Sequence, residues 1–381
     1  MKEFLFFLIR CINLIIPKSS KRILFISKPD FSDNTKIFYD YMKVNGDKEL
    51  IWLCFDSKVA ATLNEKFGIS TAVIKSFKGI KLYFTTKYIV TSSGSLWQFK
   101  AKSQKQFDLW HGIPLKNIIC LEEETPLKKL GNNITMRFAT SSLTKTILAA
   151  AFQFYPKKIC ITGQPRTDAL FTKGNLEKII PQYKLFDKVV FYMPTYRKGY
   201  KDKNDGREFS SKNIFGFETF DFEKFQELLA EKNILLLVKL HPYEEKLFIK
   251  EFACSSNVSF ISHQMLYENG LDVNEILGDI DILMTDYSSV YFDFLLLNKK
   301  LIFIPTDIKE YDLKRGFVFE NYNDVTPGEK VFTQSELENA LVSVEDEYET
   351  NRLYLKNMLH RYCDNKSCQR VWEHIKHNIG A

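Results

Sequence analysis

The sequence predicts an α/β protein made of two doubly wound, parallel-sheet domains that face each other across a cleft. Three observations predict it. Short apolar runs alternate with helix-like segments, the pattern of consecutive βαβ units. That rhythm is played twice, with a polar stretch near 172–183 between the two halves. The length of 381 residues accommodates two domains of ordinary size, each able to bury its own core.

The elements follow in chain order. Residues 1–20 begin MKEFLFFLIRCINLIIP, and 4–16 are apolar apart from Arg10 and Asn13. A run of that length is shorter than the roughly 20 residues that span a bilayer, and residues 17–22 (PKSSKR) offer no convincing signal-peptide cleavage site. Two readings stay open: a helix lying in the membrane interface with Lys2, Arg10, Lys18, Lys21 and Arg22 near lipid head groups, or a helix packed on the protein's own surface. The first α/β domain is expected over 21–175. Its strands are 22–27 (RILFIS), 49–55 (ELIWLCF), 70–74, 88–92 (YIVTS) and 105–110, with helices near 35–45, 58–67 and 80–86, about five units in all. The second is expected over 182–350, with strands at 188–192 (KVVFY), 234–240 (ILLLVKL), 258–261, 280–285 and 300–304. Its helices fall near 222–232, 274–278, 290–297, 334–341 and 348–357, and the polar segment 199–216 reads as a loop. Residues 351–381 form C-terminal helices.

Composition narrows the function. Hydrophobic residues make up 45% and charged residues 26%, which excludes a disordered or fibrous chain. Lys and Arg number 53 against 47 Asp and Glu, so the net charge of +6 falls short of a dedicated nucleic-acid binder but suits an anionic substrate or lipid surface. The cysteines (Cys11, Cys54, Cys120, Cys160, Cys254, Cys363 and Cys368) are odd in number and show no CxxC pair. A disulfide framework or zinc ribbon is therefore not expected, and scattered thiols suit a reducing cytoplasm.

Open parallel sheets bind ligands at the carboxyl ends of their strands. His111 closes the strand QFDLW and precedes Gly112, where it can project into the cleft as a neutral base; a structural histidine bonded to a carbonyl fits the position equally. Lys239 and His241 share a strand face at the end of LLLVKL, an arrangement that suits a phosphate, against a lysine snorkelling at a sheet edge. Thr285, Ser288 and Ser289 bring hydroxyls to a strand-to-helix turn that can cradle an anion, cap the helix, or do both. Asp286 and Asp293 flank it and suit sugar hydroxyls better than a phosphate. GQPRTD (163–168) and MPTYR (193–197) each carry an arginine able to bind phosphate in bidentate fashion. Together Arg166, Arg197, Lys239, His241 and the hydroxylated turn suggest a pyrophosphate site without a Walker loop, a GxGxxG fingerprint or an HExxH metal pair. His263, His360, His374 and His377 read as surface or packing residues.

The ordered set WHGIPLK (110–116), GQPRTD (163–168), MPTYR (193–197), KLHP (239–242) and TDYSSVYFD (285–293) resembles the CDP-glycerol glycerophosphotransferase family, whose members build teichoic acids and capsule polymers. SDN (32–34) and RGFVFENYNDVTPG (315–328) fit the same pattern, so the resemblance covers most of 21–345. It implies a GT-B-type fold. It also implies transfer of glycerol phosphate from CDP-glycerol to a hydroxyl of a lipid-linked or oligosaccharide acceptor, with release of CMP. By the same resemblance His111 is the general base and His241 polarises the diphosphate. Arg166 and Arg197 become diphosphate ligands, Ser288 and Ser289 the cradle, and Asp286 and Asp293 the nucleotide side, with Asp293 on the ribose. Lys116, Asp168, Thr195, Lys239 and Thr285 complete the substrate-binding set. No metal and no cofactor beyond the CDP-glycerol donor is expected, nor a nucleic-acid partner. The implied location is peripheral, on the cytoplasmic face of the membrane. Ile113 stands where the family often has Thr, and Gln164 replaces a more usual Tyr; neither removes a catalytic group. The alternatives are a CDP-ribitol transferase, a GT-B glycosyltransferase using a nucleotide sugar, or a non-catalytic membrane module.

Overall fold

The computed structural model describes residues 2–122, 133–196, 213–240, 244–245 and 255–379. Among these, two parallel sheets organise the chain. The first contains β1 (Ser19–Ile26), β2 (Glu49–Cys54), β3 (Thr71–Val73), β4 (Thr86–Thr91), β5 (Lys105–Asp108), β6 (Met136–Ala139) and β7 (Ile159–Ile161), in the order β3-β2-β1-β4-β5-β6-β7. The second contains β8 (Lys188–Tyr192), β9 (Ile234–Val238), β10 (Val258–Phe260), β11 (Ile282–Thr285), β12 (Lys300–Phe303) and β13 (Glu329–Lys330), in the order β10-β9-β8-β11-β12-β13. Each order reverses beside its first strand, between β1 and β4 and between β8 and β11, and a crevice opens at such a reversal.

The strands read as continuous apolar runs because both of their faces are covered. In β1, Ile23 and Phe25 enter one layer with Trp52 and Phe38, while Leu24 and Ile26 enter the opposite layer with Ile51 and Leu53. In β8, Val189 and Phe191 point to one core and Val190 and Tyr192 to the other. The first domain's helices are α2 (Asp33–Asn45), α3 (Ser57–Phe67), α4 (Phe77–Thr85) and α5 (Ser142–Phe152). The Asp56 side chain caps α3, which ends at Gly68 in the left-handed region, and Ser141 with Thr144 forms a capping box on α5. The second domain carries α6 (Phe222–Glu231), α7 (His263–Glu268), α8 (Val290–Phe294), α9 (Ile308–Arg315), α10 (Tyr322–Val325) and α11 (Gln334–Val342).

Several elements depart from the sequence expectation. The first sheet holds seven strands where about five units are expected, because β6 and β7 are too short for periodicity to reveal. The expected helix at 274–278 is a pair of 3-10 turns, Val273–Glu275 and Leu277–Asp279. The expected helix at 290–297 is only α8 followed by a 3-10 turn. Most of the expected loop at 199–216 lies outside the described residues.

Two terminal helices join the domains differently. Helix α12 (Glu349–Leu359) places Leu355 and Leu359 in the second domain's core. Helix α13 (Ser367–Ile379) returns to the first domain and buries Cys368, Val371, Trp372 and Ile375 beside Phe25 and Phe38. The N-terminal helix α1 (Lys2–Ile15) sits between the two readings left open for it. One edge rests on the first domain: Asn13 is fully buried and donates to the Phe99 carbonyl and Gln104 Oε1, both at 2.8 Å, and Phe6 meets the Phe99 ring edge-on. The other face leaves Phe4, Leu5, Phe7, Leu8, Ile12 and Ile15 exposed. Two of the expected lipid-facing cations are engaged within the protein. Lys18 Nζ donates to the Asn13 and Ile16 carbonyls, and Arg22 donates to Thr85 and Thr86 hydroxyls. No described helix is long and apolar enough to cross a membrane.

Candidate active site

A cavity of about 820 Å³ lies between the carboxyl ends of the two sheets. The first domain contributes Asp33, His111, Lys116 and Arg166; the second contributes Thr195, Lys239, Asn274, Ser288, Ser289 and Arg315.

His111 is presented by a strained turn. Trp110, just beyond β5, has a φ of 58°, a left-handed conformation that is costly for a large residue. Asp108 holds that turn: its Oδ1 accepts from the Gly94 N–H at 3.0 Å and the Trp110 N–H at 3.3 Å, while its Oδ2 pairs with buried Arg137. Asn34 adds a second brace. Its Nδ2 donates to the Trp110 carbonyl at 2.8 Å, and its Oδ1 accepts from the Arg166 N–H at 3.0 Å. The SDN segment therefore supports the WHG turn from behind. Gly112 follows at φ 133°, where a Cβ would stand 2.8 Å from Arg166 Nη2 and 2.9 Å from Ser289 Oγ, so only glycine fits.

The imidazole is exposed to the cavity but walled by protein. His111 Nδ1 lies 3.0 Å from the Ser92 carbonyl oxygen. A carbonyl only accepts, so Nδ1 carries the proton and Nε2 is left as the base. Desolvation by the walls lowers the pKa below the ordinary imidazole value; Asp33 and Asp108 oppose this and Arg166 reinforces it. Neutral imidazole is the form a proton acceptor requires.

The side expected to face a phosphate is mixed in sign. Lys239 is nearly buried with Glu245 Oε1 at 3.5 Å, and burial lowers its pKa. Ser288 and Ser289 line the cavity, and Ser289 makes no capping bond to α8 with its side chain. Because α8 has only five residues, an anion held there would rely on these hydroxyls and nearby cations more than on a helix dipole. Arg166 is 7% exposed, and both of its terminal nitrogens are engaged. Nη1 donates to Asp33 Oδ1 at 3.1 Å and to the His111 carbonyl at 3.0 Å, and Nη2 pairs with Asp293 Oδ2 at 2.7 Å. Burial works against its charge, but Asp293, Asp33 and Asp272 more than offset that and raise its pKa.

The structure thus brings His111, Lys116, Arg166, Thr195, Lys239, Ser288 and Ser289 to one cavity. Four expected substrate ligands do not reach it. Asp168 accepts from the Ser367 and Cys368 N–H groups, both at 2.8 Å, and so anchors α13. Thr285 donates to the Met193 carbonyl at 2.8 Å, and Asp286 accepts from the Thr195 and Tyr287 N–H groups; both tie β11 to the segment after β8. Asp293, 1% exposed, is taken up at Oδ2 by Arg166 and by Asn274 Nδ2 and does not line the cavity. His241 and Arg197 lie outside the described residues.

Sequence reasoning also passed over cavity residues. His263, expected to be a surface or packing residue, lines the wall and places Nε2 3.1 Å from the Asp30 carbonyl of the first domain. Burial pushes its pKa down to about 4, with Lys239 adding to the effect. Asp33 and Asp272 meet across the cleft, the Asp33 N–H donating to Asp272 Oδ2 at 2.8 Å. His263 and Asp272 have no local motif, and the SDN segment does not reveal Asp33's partner; only the closing of two domains brings them together. His360 is a packing residue as expected, buried against the Phe292 carbonyl at 2.8 Å.

Against this geometry, the family model described as CDP-glycerol:poly(glycerophosphate) glycerophosphotransferase matches residues 8–377. The chain is 28% identical over 354 residues to a teichoic acid poly(glycerol phosphate) polymerase of Bacillus subtilis (strain 168), covering 86% of this chain and 44% of that protein. It therefore spans less than half of that relative. It is 26% identical to a teichoic acid glycerol-phosphate transferase of Staphylococcus aureus (strain NCTC 8325 / PS 47), covering 91% of this chain and 90% of that one. Among solved structures, the wall teichoic acid polymerase TagF superposes with a TM-score of 0.75 at 21% identity, over 100% of this chain and 93% of that one, so the two share a GT-B-like fold.

Proposed function

The chain belongs to the CDP-glycerol:poly(glycerophosphate) glycerophosphotransferase family, and on that premise we propose that it transfers glycerol phosphate from CDP-glycerol to a hydroxyl of a teichoic-acid or capsule acceptor, releasing CMP. The observation that carries this reading is the placement of a tautomer-fixed His111 on one wall of a cavity whose other wall holds Lys239, Ser288 and Ser289. His111 Nε2 takes the proton from the acceptor hydroxyl as its oxygen attacks the phosphorus of the glycerol phosphate. A new P–O bond forms, the bond to the CMP phosphate oxygen breaks, and CMP leaves with the electron pair. Lys239 and the serine hydroxyls stabilise charge on the departing phosphate; positioning and electrostatics do most of the work in such transfers. By family resemblance His241 and Arg197 belong to this side.

The enzyme works at the cytoplasmic face of the membrane, where its acceptor is lipid-linked. Exposed Phe4, Phe7, Leu8 and Ile12 on α1 support an interfacial foot, and the scattered unpaired cysteines suit a reducing compartment. A donor screen tests the reading. The protein is offered CDP-glycerol, CDP-ribitol and UDP-sugars with a glycerol-phosphate-primed acceptor, and nucleotide release is measured. CMP release from CDP-glycerol is expected; release of UDP alone, or of nothing, overturns the reading.

A further inference from the structure

The reading above leaves Arg166 without a free face for a diphosphate. Its guanidinium is shared by two carboxylates, Asp33 and Asp293, and by the His111 carbonyl. One positive charge against two negative ones gives a net negative cluster, with Asp272 a further carboxylate beside it. A diphosphate arriving there would meet repulsion and would have to strip away a buried ion pair.

We propose that Arg166 is a positioning residue that fastens the His111–Gly112 turn to the second domain, so that closing the cleft and setting the base are one event. This rests on the proposed reaction. The turn is gripped at two points. At the first, the Gly112 backbone packs where even a methyl group would strike both Arg166 and Ser289, which come from opposite domains. Arg166 crosses the cleft to Asp293 while holding the carbonyl of the catalytic histidine itself. At the second, residues 115–117 pair with 316–318 as an antiparallel bridge. The Asn117 N–H donates to the Gly316 carbonyl at 3.0 Å, and the Val318 N–H donates to the Leu115 carbonyl at 2.8 Å. Gly316 has φ 64°, and a Cβ there would lie 2.5 Å from Asn117 Nδ2, which fixes the register. A base loop held this way keeps its productive geometry only while the domains stay together, and misplacement by about 1 Å costs roughly 100-fold in rate.

The test uses Arg166→Gln, Arg166→Lys and Asp293→Asn in the full chain. For each, kcat and its pH profile are measured by CMP release, the CDP-glycerol Kd by calorimetry, and the radius of gyration by solution scattering. Arg166→Gln is expected to lower kcat by about 100-fold while the donor Kd stays within about threefold, with Arg166→Lys recovering part of the loss. Asp293→Asn, which keeps shape and lies off the cavity, is expected to lower kcat in the same manner. Both Arg166→Gln and Asp293→Asn should enlarge the free protein. The charged groups facing His111 are Asp33, Asp108 and Arg166. Removing Arg166 leaves the carboxylates uncompensated and moves the acidic limb of the profile to higher pH, a change that a purely structural role would not produce. A donor Kd weakened tenfold or more with kcat intact would overturn the proposal in favour of a diphosphate ligand. Unchanged scattering and kcat in Asp293→Asn would overturn it as well, even if Arg166→Gln failed to fold. If the wild type releases no CMP, the reaction assignment fails, while the scattering arm still decides whether Arg166 clamps the domains.

Discussion

Asp168 separates a substrate ligand from a structural anchor. It sits in GQPRTD, where the resemblance implies substrate binding, yet its two carboxylate oxygens each accept a buried backbone N–H at 2.8 Å, from Ser367 and Cys368. Those donors are the first of α13, which covers the face of Phe25 and Phe38. Asp168→Ala removes an anion from a helix N-terminus and leaves two donors without their acceptor. A lost cap costs about 1–2 kcal/mol, and a hydrogen bond to a charged group contributes about 1.5–3 kcal/mol. The two overlap, because the bonds are the cap, so a loss of about 3 kcal/mol is expected. For a cooperative unit the size of this domain that corresponds to a Tm lower by roughly 6–12 °C. The assay pairs a thermal melt with CMP release measured well below the transition and normalised to folded protein. The donor KM should stay within about twofold while Tm falls. An unchanged Tm with a donor KM raised tenfold would refute the anchoring role and return Asp168 to the substrate.

Three further outcomes follow from the same structure. Asn34→Ala removes the brace on the Trp110 carbonyl and the Arg166 N–H, so kcat should fall about 10–100-fold at an unchanged donor Kd; full activity would mean that the WHG turn holds itself. His360 is buried neutral with its pKa pushed down to about 4, against about 6.5 in the unfolded chain. Between those values the unfolded state binds the extra proton, so stability should fall as pH drops from about 6.5 to 4, by up to about 3 kcal/mol. Denaturation midpoints across that range should show a shallower decline in His360→Gln; an identical decline would place the effect elsewhere. Replacing exposed Phe7, Leu8 and Ile12 with serine leaves the buried Asn13 contact in place. Removing that much apolar area should weaken cosedimentation with anionic vesicles by about 100-fold, and unchanged cosedimentation would exclude α1 as the foot.

The two sheets were legible because parallel strands covered on both faces must be apolar throughout, so RILFIS, KVVFY and ILLLVKL mark themselves. The short strands β6, β7 and β13 carry too few residues to show a period. For the site, strand-end position identified His111 and Lys239, since the topology dictates where such residues point. Asp168, Thr285, Asp286 and Asp293 do not line the cavity, because a motif records which residues lie near a site, not which way each carboxylate or hydroxyl turns. Buried N–H groups claim Asp168 and Asp286, the Met193 carbonyl takes the Thr285 hydroxyl, and Arg166 claims Asp293. Arg166 looked like a phosphate ligand for the same reason: its partners Asp33 and Asp293 are 133 and 127 residues away in the chain, and only the closed cleft shows that its charge is already neutralised. His263 has no surrounding pattern at all and becomes a cavity residue only through α7 and its contact with Asp30.

The central claim is that His111 Nε2 accepts the proton of the attacking hydroxyl. Its most direct test is CMP release from CDP-glycerol by His111→Ala beside the wild type, with the donor Kd measured on both. The account predicts turnover lowered by at least about 100-fold at a Kd within about threefold of wild type. Wild-type turnover in His111→Ala, or a loss explained wholly by weakened donor binding, would contradict it.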